Sequence, residues 1–242
     1  MPRCSVMLAV LALALSLPAA PAAMAQDVRP TVAVMYFGNG AIGKANEELA
    51  PLSKGLADML ITELSANPAI RVLERDQLEQ LMKEQDAGSS GRVDRETAAR
   101  LGKILGAHHM IFGGFVTDTR GAMRIDARAV SVETSQIVHV ETVSGKQEEL
   151  LSLVNQLAGK LNRGMKLPDI PRDVRQASVE RAKKVPLEAA MLYSRALAAK
   201  DGGNAREAVM LLQRSLATFP DYEPARRELA KLTPSAGGPS GS

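Results

Sequence analysis

Hydrophobic residues recur at three- and four-residue steps between positions 49 and 64. The members of this stripe are Leu49, Leu52, Leu56, Leu60 and Leu64. Asp58 and Glu63 lie mostly off the stripe, so the pattern predicts an amphipathic helix with one buried face. Asn67 and Pro68 end this helix, and the apolar run at 70–73 predicts a short strand directly after it.

Further apolar runs predict four more strands. They lie at 31–37, 110–116, 124–132 and 137–143, with a turn at 133–136 between the last two. Three more helices are predicted in the same part of the chain. Asp76 and Glu79 have the spacing of an acidic capping box at the start of the first. Asp94 caps the second, which ends at Gly106 after a predicted loop at 87–91, and the third covers 150–161.

The predicted order of elements is β-α-β-α-α-β-β-β-α. A helix that leads directly into a strand and out again is typical of a layered unit, so we expect an α/β fold with a mixed β-sheet flanked by helices. Residues 168–186 combine prolines with dense charge, the composition of a linker. Helical patterns at 187–200, 205–218 and 223–232 then predict a small all-α module.

The predicted organisation has five parts. They are a signal peptide at 1–25, an α/β domain at 26–167, a linker at 168–186, a helical module at 187–232 and a disordered tail at 233–242, which is rich in Gly, Ser and Pro.

The first 25 residues have the pattern of a secretory signal. Arg3 precedes an apolar run at 6–17, and cleavage is expected between Ala25 and Gln26. The run is shorter than the roughly 20 residues of a spanning helix. Cys4, the one cysteine, lies ahead of the run rather than at the cleavage site. We therefore expect an exported protein with no lipid anchor, no thiol and no membrane-spanning segment after cleavage.

Composition argues against two classes of ligand. Aromatic residues make up 3% of the chain and Trp is absent, so neither a base-stacking surface nor a sugar-binding cleft is expected. The formal charge is +3, and acidic and basic residues are interspersed. The chain therefore lacks the electrostatic pattern of a nucleic-acid-binding protein.

One motif supports a different function. The segment Gly38-Asn39-Gly40-Ala41-Ile42-Gly43 matches G-x-G-x-x-G after a predicted strand, and Glu74 could serve as the ribose-binding carboxylate of a dinucleotide site. However, Glu74 lies about 30 residues beyond Gly43, where about 20 is expected. We favour a flexible strand-to-helix loop and keep a dinucleotide-binding oxidoreductase as the alternative.

Few residues have the spacing of a catalytic or metal site. His108 and His109 are adjacent, so they point to opposite faces of a strand and cannot chelate one ion together. His139 could join one of them, but no Asp or Glu beside them has a spacing that indicates a metal site. Carboxylates such as Asp58 and Glu63 are more typical of helix surfaces and caps than of an acid/base pair. We expect no enzyme activity, no catalytic residue, no cofactor and no metal.

Five blocks of the first domain carry a family resemblance. They are VAVMYF, GLADMLITELS, RVLERDQLEQLMKEQ, ETAARLGKILGAHHMIFGGFV and RIDARAVSVETSQIV, all between residues 31 and about 167. This domain resembles the CsgG family of curli assembly and transport proteins. The resemblance implies a periplasmic location and a role in export, with a homo-oligomer formed through this domain.

The chain departs from that family where its channel is made. The channel-forming member carries two membrane-inserting hairpins, whereas the matching junctions here are only 120–123 and 144–147. One such hairpin needs about 20 residues. The resemblance therefore implies a non-enzymatic accessory or adaptor protein in assembly or secretion of an envelope or surface structure. A ring-forming secretion component that does not span the membrane is the alternative.

The segment from about 189 to 222 resembles one tetratricopeptide repeat. The matching positions are Leu192, Ala196, Gly203, Ala208, Leu212, Leu216 and Pro220, whereas Arg195 and Ser215 depart from the pattern. The resemblance implies that Tyr193, Leu197 and Lys200 contact a protein partner. A single repeat cannot bury its own face. In the competing interpretation, Tyr193 and Leu197 pack against the adjoining domain.

Overall fold

The computed structural model describes residues 29–84 and 94–233. The predicted signal peptide, the loop at 87–91 and the tail after residue 233 lie outside the described residues.

Five strands form one mixed sheet in the order β2-β1-β3-β4-β5. The strands are β1 (Thr31–Asn39), β2 (Arg71–Val72), β3 (His109–Thr117), β4 (Ala122–Ser131) and β5 (Gln136–Lys146). Strand β1 runs parallel to β2 and β3, while β3, β4 and β5 form an antiparallel meander. The predicted α/β class, with a mixed sheet flanked by helices, is confirmed.

Helices pack on both faces of this sheet. They are α1 (Lys44–Leu49), α2 (Leu52–Ser65), α3 (Arg75–Glu84), α4 (Arg95–Leu105), α5 (Leu150–Gly164), α6 (Arg172–Ala182), α7 (Leu187–Asp201), α8 (Ala205–Thr218) and α9 (Glu223–Leu232). The larger hydrophobic core joins the sheet to α2, α5 and α7. The smaller core lies on the opposite face, under α3 and α4.

The leucine stripe of the sequence is buried as predicted. Leu49 is 6% exposed, and the four leucines of α2 are fully buried. Burial of α2 nevertheless extends well beyond one stripe, since Ala57, Met59 and Ile61 are buried too. The helix contacts β1, α5 and α7, so it lies between the sheet and the helical module.

Two local predictions need correction. Asp76 does not cap α3, because the helix already begins at Arg75 and Asp76 lies in its first turn. Its carboxylate instead accepts hydrogen bonds from Arg75 and Lys200. The stretch with linker composition contains α6, which packs on α5 and buries Ser178 and Ala182. Composition indicated a linker because five of the eleven residues of α6 are charged and most are exposed.

Close approach of α2 to α7 depends on Gly55. A Cβ atom at this position would come within 1.8 Å of Ser194 Oγ and 3.1 Å of Ser194 Cα. The Ser194 hydroxyl is itself held, since it donates to the carbonyl of Ala190 at 2.8 Å. The absence of a side chain at Gly55 therefore sets how closely the two helices pack.

We expect Gly55→Ala to lower the free energy of unfolding by about 1–3 kcal/mol, because the added methyl overpacks the contact with α7. Gly159→Ala in α5 is the matched control, since the nearest atom to its added Cβ is Arg163 Nη1 at 3.7 Å. That change should raise stability by about 0.5–1 kcal/mol. Urea denaturation measures both, and equal effects of the two changes would contradict the packing argument.

Candidate functional site

The three residues predicted to contact a partner lie on the side of α7 that meets the first domain. Tyr193 is 2% exposed and Leu197 is 1% exposed. The Tyr193 hydroxyl donates to Asp58 Oδ2 on α2 at 2.5 Å, and its ring makes an edge contact with Tyr222. A peptide cannot reach these side chains in this arrangement. The placement favours the competing interpretation, in which they pack against the adjoining domain.

Lys200, the third predicted residue, also forms contacts within the molecule. Its ammonium group donates to Glu228 Oε1 on α9 at 2.7 Å and to both carboxylate oxygens of Asp76 on α3 at 3.0 Å. Lys200 therefore ties α7 to two other helices, one in each part of the molecule. It contributes to a joint between the two parts rather than to an open surface.

This joint is a network of charged side chains, which we call the Arg75 cluster. Its members are Lys54, Asp58, Arg75, Asp76, Glu79, Lys200, Asp201 and Glu228. The cluster connects α2 and α3 with the end of α7 and with α9. It lies where the sequence predicted only helix caps and helix surfaces.

Arg75 and Asp201 form the buried centre of the cluster. Arg75 Nη1 lies 2.7 Å from Asp201 Oδ2, and Nη2 lies 3.2 Å from Asp201 Oδ1, so the contact is bidentate. The two side chains are 2% and 5% exposed. Arg75 Nε also lies 3.7 Å from Asp58 Oδ1. A planar guanidinium suits this geometry because it presents several donors in a fixed fork.

The position of Asp201 explains why it needs cations. It is the last residue of α7, where the helix dipole disfavours negative charge. Lys54 Nζ adds a second contact to Asp201 Oδ2 at 2.7 Å, and Lys83 Nζ donates to its backbone carbonyl at 3.3 Å. Three cations of the first domain thus converge on the end of one helix.

Tyr36, on strand β1, connects the cluster to the sheet. It lies at an irregularity in β1, between the paired residues Val34 and Phe37. Its hydroxyl donates to Glu79, and Lys54 Nζ lies 5.2 Å from the centroid of its ring. The strand, α2 and α3 are therefore linked through the same group of polar atoms.

Burial and pairing shift the pKa values within the cluster. Burial alone lowers the pKa of Arg75, but the hydrogen bond and charge of Asp201 raise it above its ordinary value. Burial lowers the pKa of Lys200, and its hydrogen bonds to Glu228 and Asp76 outweigh this effect and raise it. Burial raises the pKa of Asp58, and the hydrogen bond from Tyr193 offsets this only in part. The two cations stay charged, which suits a structural role.

The glycine-rich segment has a packing role. Gly38 lies inside β1, and the Gly40 N–H donates to the carbonyl of Phe115 on β3 at 2.8 Å. A Cβ at Gly40 would come within 2.6 Å of Val116 Cγ1. Gly43 has a φ of 66° and precedes a helix of only six residues. Close strand contact and a turn account for the glycines, which weighs against the dinucleotide fingerprint.

His108 and His139 have different partners, and Nδ1 of His109 is buried with no hydrogen bond among the described residues. Nδ1 of His108 accepts a hydrogen bond from the Thr31 N–H at 2.9 Å, and Nε2 of His139 lies 3.3 Å from Glu141 Oε2. Within residues 29–84 and 94–233, no three His, Cys, Asp or Glu side chains come together at metal-binding distance. In the same part of the chain, no helix is long and apolar enough to cross a membrane.

Replacement of Arg75 tests whether the cluster holds the two parts together. Arg75→Met should lower the free energy of unfolding by about 3–5 kcal/mol, because Asp201 and Asp58 lose a buried counter-charge. Arg95→Met is the control, since Arg95 and its partner Glu96 are 42% and 69% exposed. The control should cost at most about 1 kcal/mol. Similar losses in the two variants, measured by urea denaturation, would show that the Arg75 cluster is not a stabilising joint.

The Asp76–Lys200 contact predicts a pH dependence. Burial raises the pKa of Asp76, but the hydrogen bonds and charge of Lys200 outweigh burial and lower it below the ordinary 3.8. The contribution to stability is therefore complete above that pH and is lost as the pH falls through the lower folded-state pKa. It should stay below about 1 kcal/mol, since Asp76 is 46% exposed.

The measurement is the difference in unfolding free energy between the wild type and Asp76→Asn. We expect this difference to be largest near neutral pH and to close below pH 3.8. A difference that is constant from neutral to strongly acidic pH would contradict the assignment.

Comparison with known proteins supports the first domain's resemblance. The model of the family described as curli production assembly/transport component CsgG matches residues 14–117, which is less than half of the 242 residues. Among the described residues, this match runs from the start of β1 to the end of β3. The chain therefore contains a CsgG-like domain. No curated protein matches the chain at a significant level.

Several solved structures show weak likeness. The LpoB C-terminal domain from Escherichia coli is 16% identical, with a TM-score of 0.37 over 48% of this chain and 82% of that chain. A PelC dodecamer from Paraburkholderia phytofirmans is 12% identical, with a TM-score of 0.35 over 58% of this chain and 90% of that chain. Lipoprotein GNA1162 from Neisseria meningitidis is 13% identical, with a TM-score of 0.35 over 48% of this chain and 79% of that chain. Values of this size establish neither a common fold nor a common function.

Proposed function

We propose that this chain is a non-enzymatic accessory or adaptor protein in assembly or secretion of a cell-envelope or surface structure, exported to the periplasm by cleavage at Ala25/Gln26. The observation that carries the proposal is the match of the CsgG family model to residues 14–117. The proposed role is one of protein–protein contact.

The use of the charged side chains supports a role without catalysis. Asp58, Arg75 and Asp201 face one another rather than an open cleft, and their polar atoms are used in mutual contacts. A general acid or base needs reach to a bound substrate. The carboxylates of Asp58 and Asp201 instead contact Arg75 and join helices.

The helical module supports an adaptor role in which a partner meets its outer surfaces. Helices α7 and α8 pack as a pair and α9 packs on α8, which agrees with one tetratricopeptide-like repeat and a covering helix. Tyr193 and Leu197 are 2% and 1% exposed, which favours a face turned toward the first domain rather than toward a peptide. A partner would therefore meet the outer surfaces of the module, with α7 serving as its attachment.

The ring-forming alternative is favoured by the edge of the sheet. Strand β5 lies at one end of the sheet and exposes Ile137 and Val138 at 43% and Val140 at 55%. An exposed apolar edge strand is a template for pairing with another chain. If the protein oligomerises through its CsgG-like domain, this edge is the surface that would carry the contact.

The decisive experiment combines location with native mass. We expect the mature protein in the periplasmic fraction of its host, and light scattering after size exclusion gives its oligomeric state. A multi-subunit peak that falls to monomer mass in Val140→Lys would support the ring. Met210→Lys, which changes a side chain 53% exposed on α8, is the matched control and should leave the mass unchanged.

Two results would count against the proposal. Retention of the mature protein in the cytoplasm would contradict an envelope role. A clear thermal shift with NAD(P) would support the oxidoreductase alternative through the segment 38–43 instead.

A further inference from the structure

Strand β5 forms one edge of the sheet, and no strand of the described residues pairs with its outer side. With eleven residues it is the longest strand of this sheet. Its exposed large apolar side chains, Ile137, Val138 and Val140, lie close together and are 43%, 43% and 55% exposed. An uncovered apolar edge strand recruits another strand, because its free N–H and C=O groups can continue the ladder.

The opposite edge of the sheet offers little for β5 to pair with. That edge is β2, which consists of Arg71 and Val72 only. A head-to-tail extension of the sheet, with β5 of one copy on β2 of the next, would therefore form a very short ladder. By contrast, β5 of a second copy offers a strand of equal length and the same apolar character. The edge thus suits a two-fold pair, in which the same surface of both copies meets itself.

The charges on β5 determine the register of such a pair. An antiparallel pair about a two-fold axis normal to the sheet is centred on one residue, because neighbouring cross-strand pairs alternate in hydrogen bonding. A centre at Glu141 would place two carboxylates opposite each other, which is unfavourable. A centre at Val140 places the two valines opposite each other and sets His139 of each copy opposite Glu141 of the other. Val138 then lies opposite Thr142.

The side chains of His139 and Glu141 are suited to this contact. Both lie on the face of the sheet that α5 covers, where His139 Nε2 is 3.3 Å from Glu141 Oε2 and Lys160 Nζ is 2.9 Å from Glu141 Oε1. The hydrogen bond from Lys160 lowers the pKa of Glu141, so its carboxylate is ionised and can accept from the imidazole of a second copy. A centre at His139 would lose this contact and set Ile137 opposite Glu141.

An irregularity in β5 limits the length of the ladder. Ile137 pairs with Val130 of β4 and His139 pairs with Ala129, so the register shifts opposite Val138. This irregularity lies at the end of the pairing described above, which therefore covers residues 138–142 of each copy. A ladder of about five residues is usual for strands in proteins.

We propose that β5 pairs with β5 of a second copy, antiparallel and centred on Val140, so that the two sheets join about a two-fold axis. Val140 packs on Val140 of the second copy, and a His139–Glu141 contact lies on each side of it. This dimer extends the oligomer alternative above by naming the partner and the register. It rests on the edge of β5 and not on the envelope role. A two-fold pair closes on itself, so a ring would need a further interface.

Disulfide formation between single cysteines tests the dimer and its register. Cys4 is the one cysteine of the sequence, so residues 26–242 carry no thiol of their own. In the proposed pair, the Cα atoms at position 140 of the two copies lie about 4.5–5.5 Å apart, within the range of a disulfide. The Cα atoms at position 142 are offset by four residues, about 13 Å along the strand, which is too far.

We expect Val140→Cys in the mature chain to form severalfold more disulfide-linked dimer under mild oxidation than Thr142→Cys or Met210→Cys. Met210 is 53% exposed on α8, so it controls for exposure. Light scattering of the wild-type mature chain at rising concentration should show a monomer–dimer equilibrium, because the ladder is short.

Three results would overturn the dimer. They are equal crosslinking of Val140→Cys and Met210→Cys, preferential crosslinking of Thr142→Cys, which requires another register, and a wild type that stays monomeric at its highest soluble concentration. Cell fractionation reports on the envelope role and crosslinking reports on β5. Failure of one proposal is therefore distinguishable from failure of the other.

Discussion

Burial of α2 on nearly all of its sides is the constraint on which the rest of the structure depends. The helix packs on β1 and α5 and is crossed by α7 at Gly55, where there is no room for a side chain. A helix that is apolar around most of its surface must be covered on more than one side. The sheet alone supplies one cover, so the helical module is needed to supply the other. The two parts of the chain therefore share one hydrophobic core.

The Arg75 cluster lies at the edge of that shared core and fixes the position of the end of α7. Hydrophobic contact between α2 and α7 has no directional preference, whereas the bidentate contact of Arg75 with Asp201 fixes where α7 ends. Buried charges are costly unless they are paired and hydrogen-bonded. Lys54 and Tyr36 complete the pairing on the side of the sheet. We interpret the Arg75 cluster as a group that positions the end of α7 against α2 and α3. It stabilises the fold only if every charge in it is paired.

This arrangement changes where function can reside. Tyr193, Leu197 and Lys200 were expected to contact a partner protein, but Tyr193 and Lys200 bond to the CsgG-like domain and Leu197 is buried. Among the described residues, the edge of β5 and the outer side of α8 stay exposed. The two differ in chemistry, since the edge of β5 exposes Ile137, Val138 and Val140 and the outer side of α8 is mostly polar.

Local periodicity was enough to predict most elements of the fold. The strand around 124–132 and the helices α7, α8 and α9 follow from side-chain spacing, because a buried face repeats every two residues in a strand and every 3.6 in a helix. The strand around 110–116 follows from a continuous apolar run. The cap at Asp94 is equally local, and its carboxylate accepts from the Thr97 N–H at 2.7 Å. Such features depend on neighbours within one turn, so the sequence by itself determined them.

Tertiary structure decided everything that depends on distant partners. Arg75 and Asp201 lie 126 positions apart, and Tyr193 and Asp58 lie 135 apart, so no spacing rule connects them. The helix α6 escaped prediction because only Ser178 and Ala182 are buried, too few to show a periodic stripe. The sequence assigned Tyr193 to partner binding, whereas in the structure its hydroxyl donates to Asp58 of the first domain. An apolar face has the same sequence pattern whether it meets a partner protein or another part of its own chain, and only the folded structure shows which one covers it.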